Sequence, residues 1–418
     1  MPLSNNMTPA VVLSGHTMAL GVVRALGSMG VPVIVAHRED RDTAHLSRYC
    51  ASSLISPDPV LSEDSFIEFL LASAHRFGRA VLFPVSDETV VAVSRHKELL
   101  ERHYAVACPD WNVARLFIDK KRTYAIAEAI GVPAPASITP SSLEEVRACA
   151  DRIEFPCLVK PCQSHLFYEH FRRKMFCVRG KEEMISVYKQ AAAAGLEVML
   201  QEIIPGDDSC VVNYNSYFCN GAAALEFTAA HVRNAPPMWG STRVAVSREI
   251  PEVLAPGRSI LRALGFEGYA CTEFKRDARD GSYKLMEVNG RHNLSTLLAV
   301  RCGVNFPWLH YRHLAYGEVP SQKPARSGIY WIDLTRDLGY SARYAGYERY
   351  SPVQYLTPYF HPHVFAILDW KDPRPFVKRC SFLAWQGLCR LMQPLRRCLP
   401  KTGARKATFH FLGRLFKI

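Results

Sequence analysis

Several features are missing from these 418 residues, and each absence removes a class of protein. The thirteen cysteines contain no C-x-x-C pair, and their number is odd. Both facts favour reduced thiols in a cytoplasmic protein over a disulfide framework or a zinc module. No apolar run is long enough to cross a bilayer. The opening residues, Met1 to Asn6, lack the basic stretch and apolar core of a secretory signal. There is no G-x-G-x-x-G and no GK[ST], so two common phosphate-binding loops are excluded. Acidic charge is scarce only at one end. Residues 371–418 hold twelve Lys or Arg against the single acid Asp372, which leaves the first 370 residues at +1 of the total +12. The basic balance thus belongs to a tail, and the main body is not read as a nucleic-acid binder.

What is present suffices for a large core. Hydrophobic residues make up 48% of the chain, and its length suggests two to four structural units. Residues 9–37 read as a βαβ unit, with the turn Ser14-Gly15-His16 leading into its helix. A second round follows: a helix over 64–77, a strand from Ala80 to Val85, a helix over 88–100 and a strand from Tyr104 to Cys108. Asp87 and Glu88 fall just after a strand, where open α/β sheets place ligands, although Asp87 is adequately explained as a helix cap.

The stretch Phe155-Pro-Cys-Leu-Val-Lys160-Pro reads as a buried strand bearing a lysine. A buried ammonium calls for an anionic ligand or a carboxylate beside it. Glu197 to Gly206 is a strand ending in a Pro-Gly turn. An antiparallel pair follows around Asn220-Gly221. Arg233, Trp239, Ser241, Thr242 and Arg243 then form an expected loop, from which Arg243 is the chosen candidate to bind a substrate carboxylate in bidentate fashion.

The most informative segment is Gly268 to Arg291. Aromatic and apolar runs flank Arg279-Asp280-Gly281-Ser282, a hairpin signal. Glu287 and Asn289 are two apart in a strand and so share a face, suiting a hard cation that takes oxygen ligands. Glu273 joins them only if the hairpin register has odd parity. A two-residue Asp280-Gly281 turn would put Glu273 on the opposite face. The expectation is a three-residue loop ending at Gly281 in the left-handed conformation. A solvent-facing edge with scattered charges is the competing reading.

Glu287-x-Asn289-x-Arg291, with Glu273 on the neighbouring strand, resembles the metal site of the ATP-grasp ligases, in general layout their D-aspartate ligase-like branch. Asp119-Lys120 and the strand bearing Lys160 fit the same resemblance, which covers about residues 9–320. It implies an α/β and α+β architecture: an N-terminal parallel α/β (pre-ATP-grasp) domain over 1–115, a small lobe over 116–205, a large lobe over 206–322 and a C-terminal extension over 323–418. It implies ATP and Mg²⁺ (or Mn²⁺) as cofactors, with Glu273, Glu287 and Asn289 as metal ligands. Lys120 and Lys160 would reach the phosphates. Backbone around Glu202, Ile203 and Ile204 would meet adenine, and Asp208 the ribose. Arg291 would stabilise an acyl phosphate and a tetrahedral oxyanion. The implied reaction is ATP-dependent ligation of a small carboxylate to an amine (or thiol) with release of ADP and phosphate. Another ATP-grasp reaction such as carboxylation, or a non-catalytic nucleotide-binding protein, is the alternative.

One departure from the family pattern stands out. Residues 162–178 occupy the place of its glycine-rich lid, yet contain no glycine. Lys174, or Arg172 or Arg173, would then supply by side-chain charge what backbone amides supply elsewhere. Residues 376–399 carry apolar residues at near-helical spacing beside Arg and Lys. Such a segment can lie on an anionic membrane surface or pack on protein. Peripheral membrane contact through 376–418 and a homodimer are both left open.

Overall fold

The computed structural model describes residues 7–391 apart from residues 40, 323, 345 and 349. The run Ala10 to Leu13 is apolar at every position, which suits a strand covered on both faces. It forms β1 (Ala10–Leu13), the centre of a parallel five-stranded sheet with β2 (Val33–His37), β3 (Cys50–Ile55), β4 (Val81–Pro84) and β5 (Ala105–Val106), in the order β3-β2-β1-β4-β5. Helix α1 (Thr17–Gly27) leaves the carboxyl end of β1, and α2 (Asp87–Arg95) that of β4. The helix expected over 88–100 is interrupted at His96.

Helix α3 (Lys120–Ala129) leads into a four-stranded antiparallel sheet, in the order β6-β9-β7-β8, of β6 (Ser137–Ile138), β7 (Cys157–Pro161), β8 (Phe176–Val178) and β9 (Val198–Gln201). Between β7 and β8 the glycine-free segment folds into a helix, α4 (Ser164–Phe171). Phe167, fully buried, packs tilted against Phe171 and edge-on against Phe176 at 4.6 and 6.0 Å between ring centroids, and this cluster replaces an open loop.

The largest sheet has seven strands: β10 (Val211–Cys219), β11 (Ala222–Ala235), β12 (Ser241–Ser247), β13 (Gly268–Arg276), β14 (Tyr283–Asn289), β15 (Tyr330–Ile332) and β16 (His363–Phe365). Asn220 and Gly221 join β10 to β11 with φ of 55° and 71°. Positive φ at both positions is what a type I′ turn requires, and Asn-Gly supplies it at little cost. One face of the sheet buries Tyr217, Phe227, Ala245 and Trp331 against α1 and the N-terminal sheet. The other buries Tyr214, Ala230, Phe274 and Leu285 against the helix Leu254–Ala263.

Two expectations are corrected here. Arg243 lies within β12, paired through Val244 and Thr242 to β11, and is not in a loop. Residues beyond 323 supply β15 and β16 to the large sheet. They also form α5 (Leu334–Arg343) and α6 (Arg374–Leu391). The expected amphipathic segment is helical as far as Leu391, and its remainder lies outside the described residues. Among the described residues no helix is long and apolar enough to cross a membrane, and the twelve described cysteines are all free thiols.

Candidate active site

β13 and β14 pair with Arg276 opposite Tyr283 and Phe274 opposite Leu285, then shift so that Glu273 faces Glu287 and Cys271 faces Asn289. The parity that brings the carboxylates together therefore comes from a bulge at Met286. The hairpin end itself has an even count, with the Asp277 amide donating to the Ser282 carbonyl at 2.7 Å. The expected three-residue loop is corrected, although Gly281 does adopt φ of 76°. A bulge of this kind re-aims side chains next to active sites. The displaced Met286 carbonyl accepts the Tyr124 hydroxyl at 2.7 Å, which fixes the bulge against α3.

Lysines converge on this pair. Lys120 is the first residue of α3, whose N-cap is Asp119, and its Nζ donates to Glu287 Oε2 at 2.8 Å. Lys160 on β7 is 6% exposed and has no carboxylate partner. Its ammonium donates to Tyr124 Oη at 3.2 Å and Gln201 Oε1 at 3.4 Å. Lys174 follows the lid helix and donates to Ser241 Oγ at 2.9 Å. Lys120, Lys160 and Lys174 all lie within electrostatic range of Glu273. The neighbouring arginines are spent elsewhere: Arg172 pairs with Glu169, and Arg173 lies over the Phe176 ring. Of the three cations considered for the lid, Lys174 is thus the one in the cleft.

The two carboxylates differ in state. The Lys120 charge holds Glu287 well below the usual carboxylate range. Burial, together with the Glu287 charge, pushes Glu273 up to about 7. Two acids that cannot comfortably ionise together form a site that a cation resolves. Asn289 Nδ2 donates to Glu287 Oε1 at 3.0 Å, leaving the amide oxygen outside that bond. Among the described residues no three His, Cys, Asp or Glu converge, and the oxygen donors gathered here are two carboxylates and one amide oxygen. Hard oxygen donors of this kind fit Mg²⁺ or Mn²⁺, with further positions left to phosphate and water.

Arg291 leaves the end of β14 and reaches the N-terminal domain, where its Nε donates to Asp87 Oδ1 at 2.6 Å and its Nη1 approaches Met18 Sδ at 3.5 Å. The Asp87 charge holds this guanidinium firmly protonated against its burial. Asp87 is therefore not the cap of α2. Ser86 is, through a reciprocal pair with Thr89.

Two expectations do not survive the geometry, and a third is narrowed by it. Asp208 is 4% exposed, and both oxygens are occupied by the amides of Asn234 and Met238 and by Asn234 Nδ2, at 2.7 to 3.1 Å. It holds the β11–β12 connection and has no free edge for a ribose. Arg243 is fully buried, 3.0 Å from Asp337 Oδ1 and in contact with Glu348, so its charge is already matched. The Glu202 amide donates to the Ala136 carbonyl at 3.0 Å, which leaves the carbonyls of this stretch and the amides beyond it for adenine. The Glu202 carboxylate instead joins Arg279 and Lys284 at the hairpin end. Ile203 and Ile204 follow in irregular backbone, with Ile204 buried.

Sequence reasoning overlooked Tyr124 and His231, and it placed Gln201 only at the hinge, not as a neutral partner of Lys160 beside Tyr124. His231 is 4% exposed, within electrostatic range of Lys174 and Glu287, and has no partner for Nε2. Period-2 alternation along β11 would have placed it on the Glu273 face.

No protein-family model matches the chain. A D-aspartate ligase of Enterococcus faecium is 24% identical over 318 residues, spanning 71% of this chain and 74% of that protein. An L-amino acid ligase from Bacillus licheniformis superposes with a TM-score of 0.58 at 14% identity, over 75% of each chain. The biotin carboxylase of Campylobacter jejuni, solved as a β,γ-ATP complex, gives a TM-score of 0.61 at 16% identity, over 77% of this chain and 74% of that one. All three are ATP-grasp proteins. The chain has the ATP-grasp fold. In this chain Glu273, Glu287, Asn289 and Arg291 stand on or just after the β13–β14 hairpin, with Lys120 of α3 and Lys160 of β7 within electrostatic range of Glu287.

Proposed function

We propose that this ATP-grasp chain is an ATP-dependent ligase joining a small carboxylate to an amine through an acyl phosphate, with release of ADP and phosphate. The observation that carries the reading is the facing pair Glu273 and Glu287, with Lys120 at 2.8 Å and an unpaired Lys160 in the same cleft. Mg²⁺ or Mn²⁺, when bound, supplies the positive charge that neutralises phosphate oxygens during transfer.

The chain's own residues do the rest. Glu273, Glu287 and Asn289 hold the cation. Lys160 meets phosphate oxygens as the anion its buried ammonium otherwise lacks. Lys174 brings charge from the lid, where the amides of α4 past its first turn are spent on helical bonds. Arg291, held by Asp87, presents fixed positive charge to the acyl phosphate and to the oxyanion formed when the amine attacks. No protein nucleophile is required, since positioning and electrostatics account for such transfers. Ile203 and Ile204 offer the backbone that would border adenine. The basic helix α6, with Val377 59% exposed, keeps anionic membrane contact within the proposal.

The test is a panel of small acids and amines incubated with ATP and Mg²⁺, followed by mass detection of condensed product and by separation of ADP from AMP. A product that forms with ADP, and is lost in Glu287→Gln with folding intact, supports the ligase. AMP as the nucleotide product would exclude it.

A further inference from the structure

His231 and Asn213 are buried polar side chains on the Glu273 face of the large sheet to which the proposed chemistry gives no part. In the sheet register Asn213 of β10 lies directly across from Glu273 on one side and from Ala229 of β11 on the other. His231, two residues beyond Ala229 on the same strand, shares that face and is a diagonal neighbour of Asn213. Each is 4% exposed, and neither His231 Nε2 nor Asn213 Oδ1 has a partner among the described residues. Pairing with β12 slips directly after His231, because His231 faces Ala245 and Arg233 faces Val244, with Val232 left over between them. A bulge of this kind aims the side chains beside it.

The hydrogen bonds around His231 decide which ring nitrogen carries the proton. Asn234 Nδ2 donates to Asp208 Oδ1 at 3.1 Å, so the Asn234 amide oxygen is the atom that meets His231 Nδ1, at 2.9 Å. An amide oxygen only accepts. Nδ1 therefore bears the hydrogen, and Nε2 presents a lone pair. Burial lowers the His231 pKa to about 4, which keeps that lone pair free at neutral pH. Nε2 is thus an acceptor, and Asn213 Oδ1 is a second one on the same face.

Acceptors hidden from water call for a donor. A carboxylate or phosphate does not fit them, since it would set lone pair against lone pair. Lys174, in electrostatic range of His231, is already engaged with Ser241 Oγ at 2.9 Å. Glu287 lies in electrostatic range of both His231 and Arg291, which puts the imidazole on the same cleft as the guanidinium assigned to the acyl phosphate.

We propose that His231 Nε2 and Asn213 Oδ1 form the subsite for the attacking amine, each accepting one N–H so that the nitrogen lone pair is left for the acyl carbon. The proposal rests on the ligase reading of the neighbouring residues. It adds where the nucleophile is held and a limit on its class, a primary amine whose two N–H groups match two acceptors. In the step served, the nitrogen bonds to the acyl carbon and the bond from that carbon to the phosphate oxygen breaks, its electron pair leaving on phosphate. The proton displaced from nitrogen departs with that phosphate.

Two measurements on the full chain separate the subsite from the reading it rests on. In the first, protein carrying ¹⁵N-labelled histidine is observed by ring-nitrogen NMR, and the His231 signals are those missing from His231→Gln. His231 shows the Nδ1–H tautomer, and methylamine added with Mg-ADP shifts its Nε2 resonance where tetramethylammonium, which has no N–H, does not. In the second, a substrate acid is converted with hydroxylamine, whose nitrogen has two N–H groups, or with N-methylhydroxylamine, which has one, and the hydroxamate is scored. His231→Leu raises KM for hydroxylamine about 10- to 100-fold and lowers the ratio of the two kcat/KM values. His231→Gln, which can present an oxygen acceptor, keeps part of that ratio, and KM for ATP stays at the wild-type value in both variants. An Nε2–H tautomer, an Nε2 resonance indifferent to methylamine, a hydroxylamine KM untouched by His231→Leu, or a loss confined to ATP or Mg²⁺ affinity overturns the subsite. A methylamine shift with no hydroxamate from any acid would instead sink the ligase reading and leave the amine site standing.

Discussion

Lys120 Nζ and Glu287 Oε2 lie 2.8 Å apart although 167 residues separate them, and this pair ties the start of α3 to the β13–β14 hairpin. Glu273 and Glu287 would hold a cation that supplies positive charge at the oxygen Lys120 now occupies, and Lys120 would then be free to meet phosphate. Glu287→Gln is therefore expected to lower kcat by at least about 100-fold, since it removes a metal ligand as well as the lysine's partner. Chelation of divalent metal should abolish ADP formation, and added Mg²⁺ or Mn²⁺ should restore it. Turnover that persists in EDTA would contradict the assigned donor set.

Lys160 gives a prediction of the opposite sign for stability and for binding. Among the described residues its ammonium donates only to the neutral Tyr124 and Gln201, with Glu273 and Glu287 in electrostatic range but not in hydrogen-bond contact, so its desolvation is only partly offset in the free protein. Lys160→Met should fold at least as stably as the wild type while losing about 10- to 100-fold in ATP affinity. Thermal midpoints and nucleotide titrations on the same samples check both halves. A destabilised variant with normal ATP affinity would make Lys160 a structural residue.

Asp208 and Asp337 are expected to matter for folding only. Asp337 is fully buried, accepts Arg233 at 2.8 and 2.9 Å, lies 3.0 Å from Arg243 and accepts the Tyr359 hydroxyl at 2.6 Å. Asp337→Asn leaves two buried guanidinium groups short of charge, a loss of about 3–5 kcal/mol. Asp208→Asn should cost about 1–3 kcal/mol through its three donors. Denaturant unfolding measures these losses, and KM for ATP should not move in the folded fraction. A tenfold rise in that KM for Asp208→Asn, without loss of stability, would return Asp208 to the nucleotide.

These cases show which parts of the site could be read in advance. Glu273, Glu287 and Asn289 were legible because strand alternation is local, and only the parity was undetermined. The parity came from a bulge at Met286 that the Tyr124 hydroxyl holds in place from another element, so no turn rule could supply it. The Asn220-Gly221 turn was legible for the same local reason. Arg243 and Asp208 were misread because their counter-groups come from afar, Glu348 lying 105 residues from Arg243 and Asn234 lying 26 from Asp208. A charged residue shows its type in sequence but not whether its charge is already matched. Asp87 erred the other way, since a residue fit for capping is bound to Arg291 across the domain boundary.

Acid sensitivity should trace to buried histidines. His292 is 3% exposed, is stacked on Tyr269 at 4.1 Å between ring centroids, and has no partner for either ring nitrogen. Burial lowers its pKa to about 3, and His310 is likewise held well below its ordinary value. The unfolded chain takes up a proton on each near pH 6.5, whereas the folded chain refuses it until far lower pH. Protons therefore favour the unfolded state, and stability is lost progressively as pH falls from 6.5 toward 3. His292 alone should remove about 2 kcal/mol at pH 5 relative to neutral pH. Urea unfolding at pH 7.5, 6 and 5 should show this decline, and His292→Phe, which keeps a ring against Tyr269, should flatten it by that amount. An unchanged slope in His292→Phe would place the acid-labile group elsewhere.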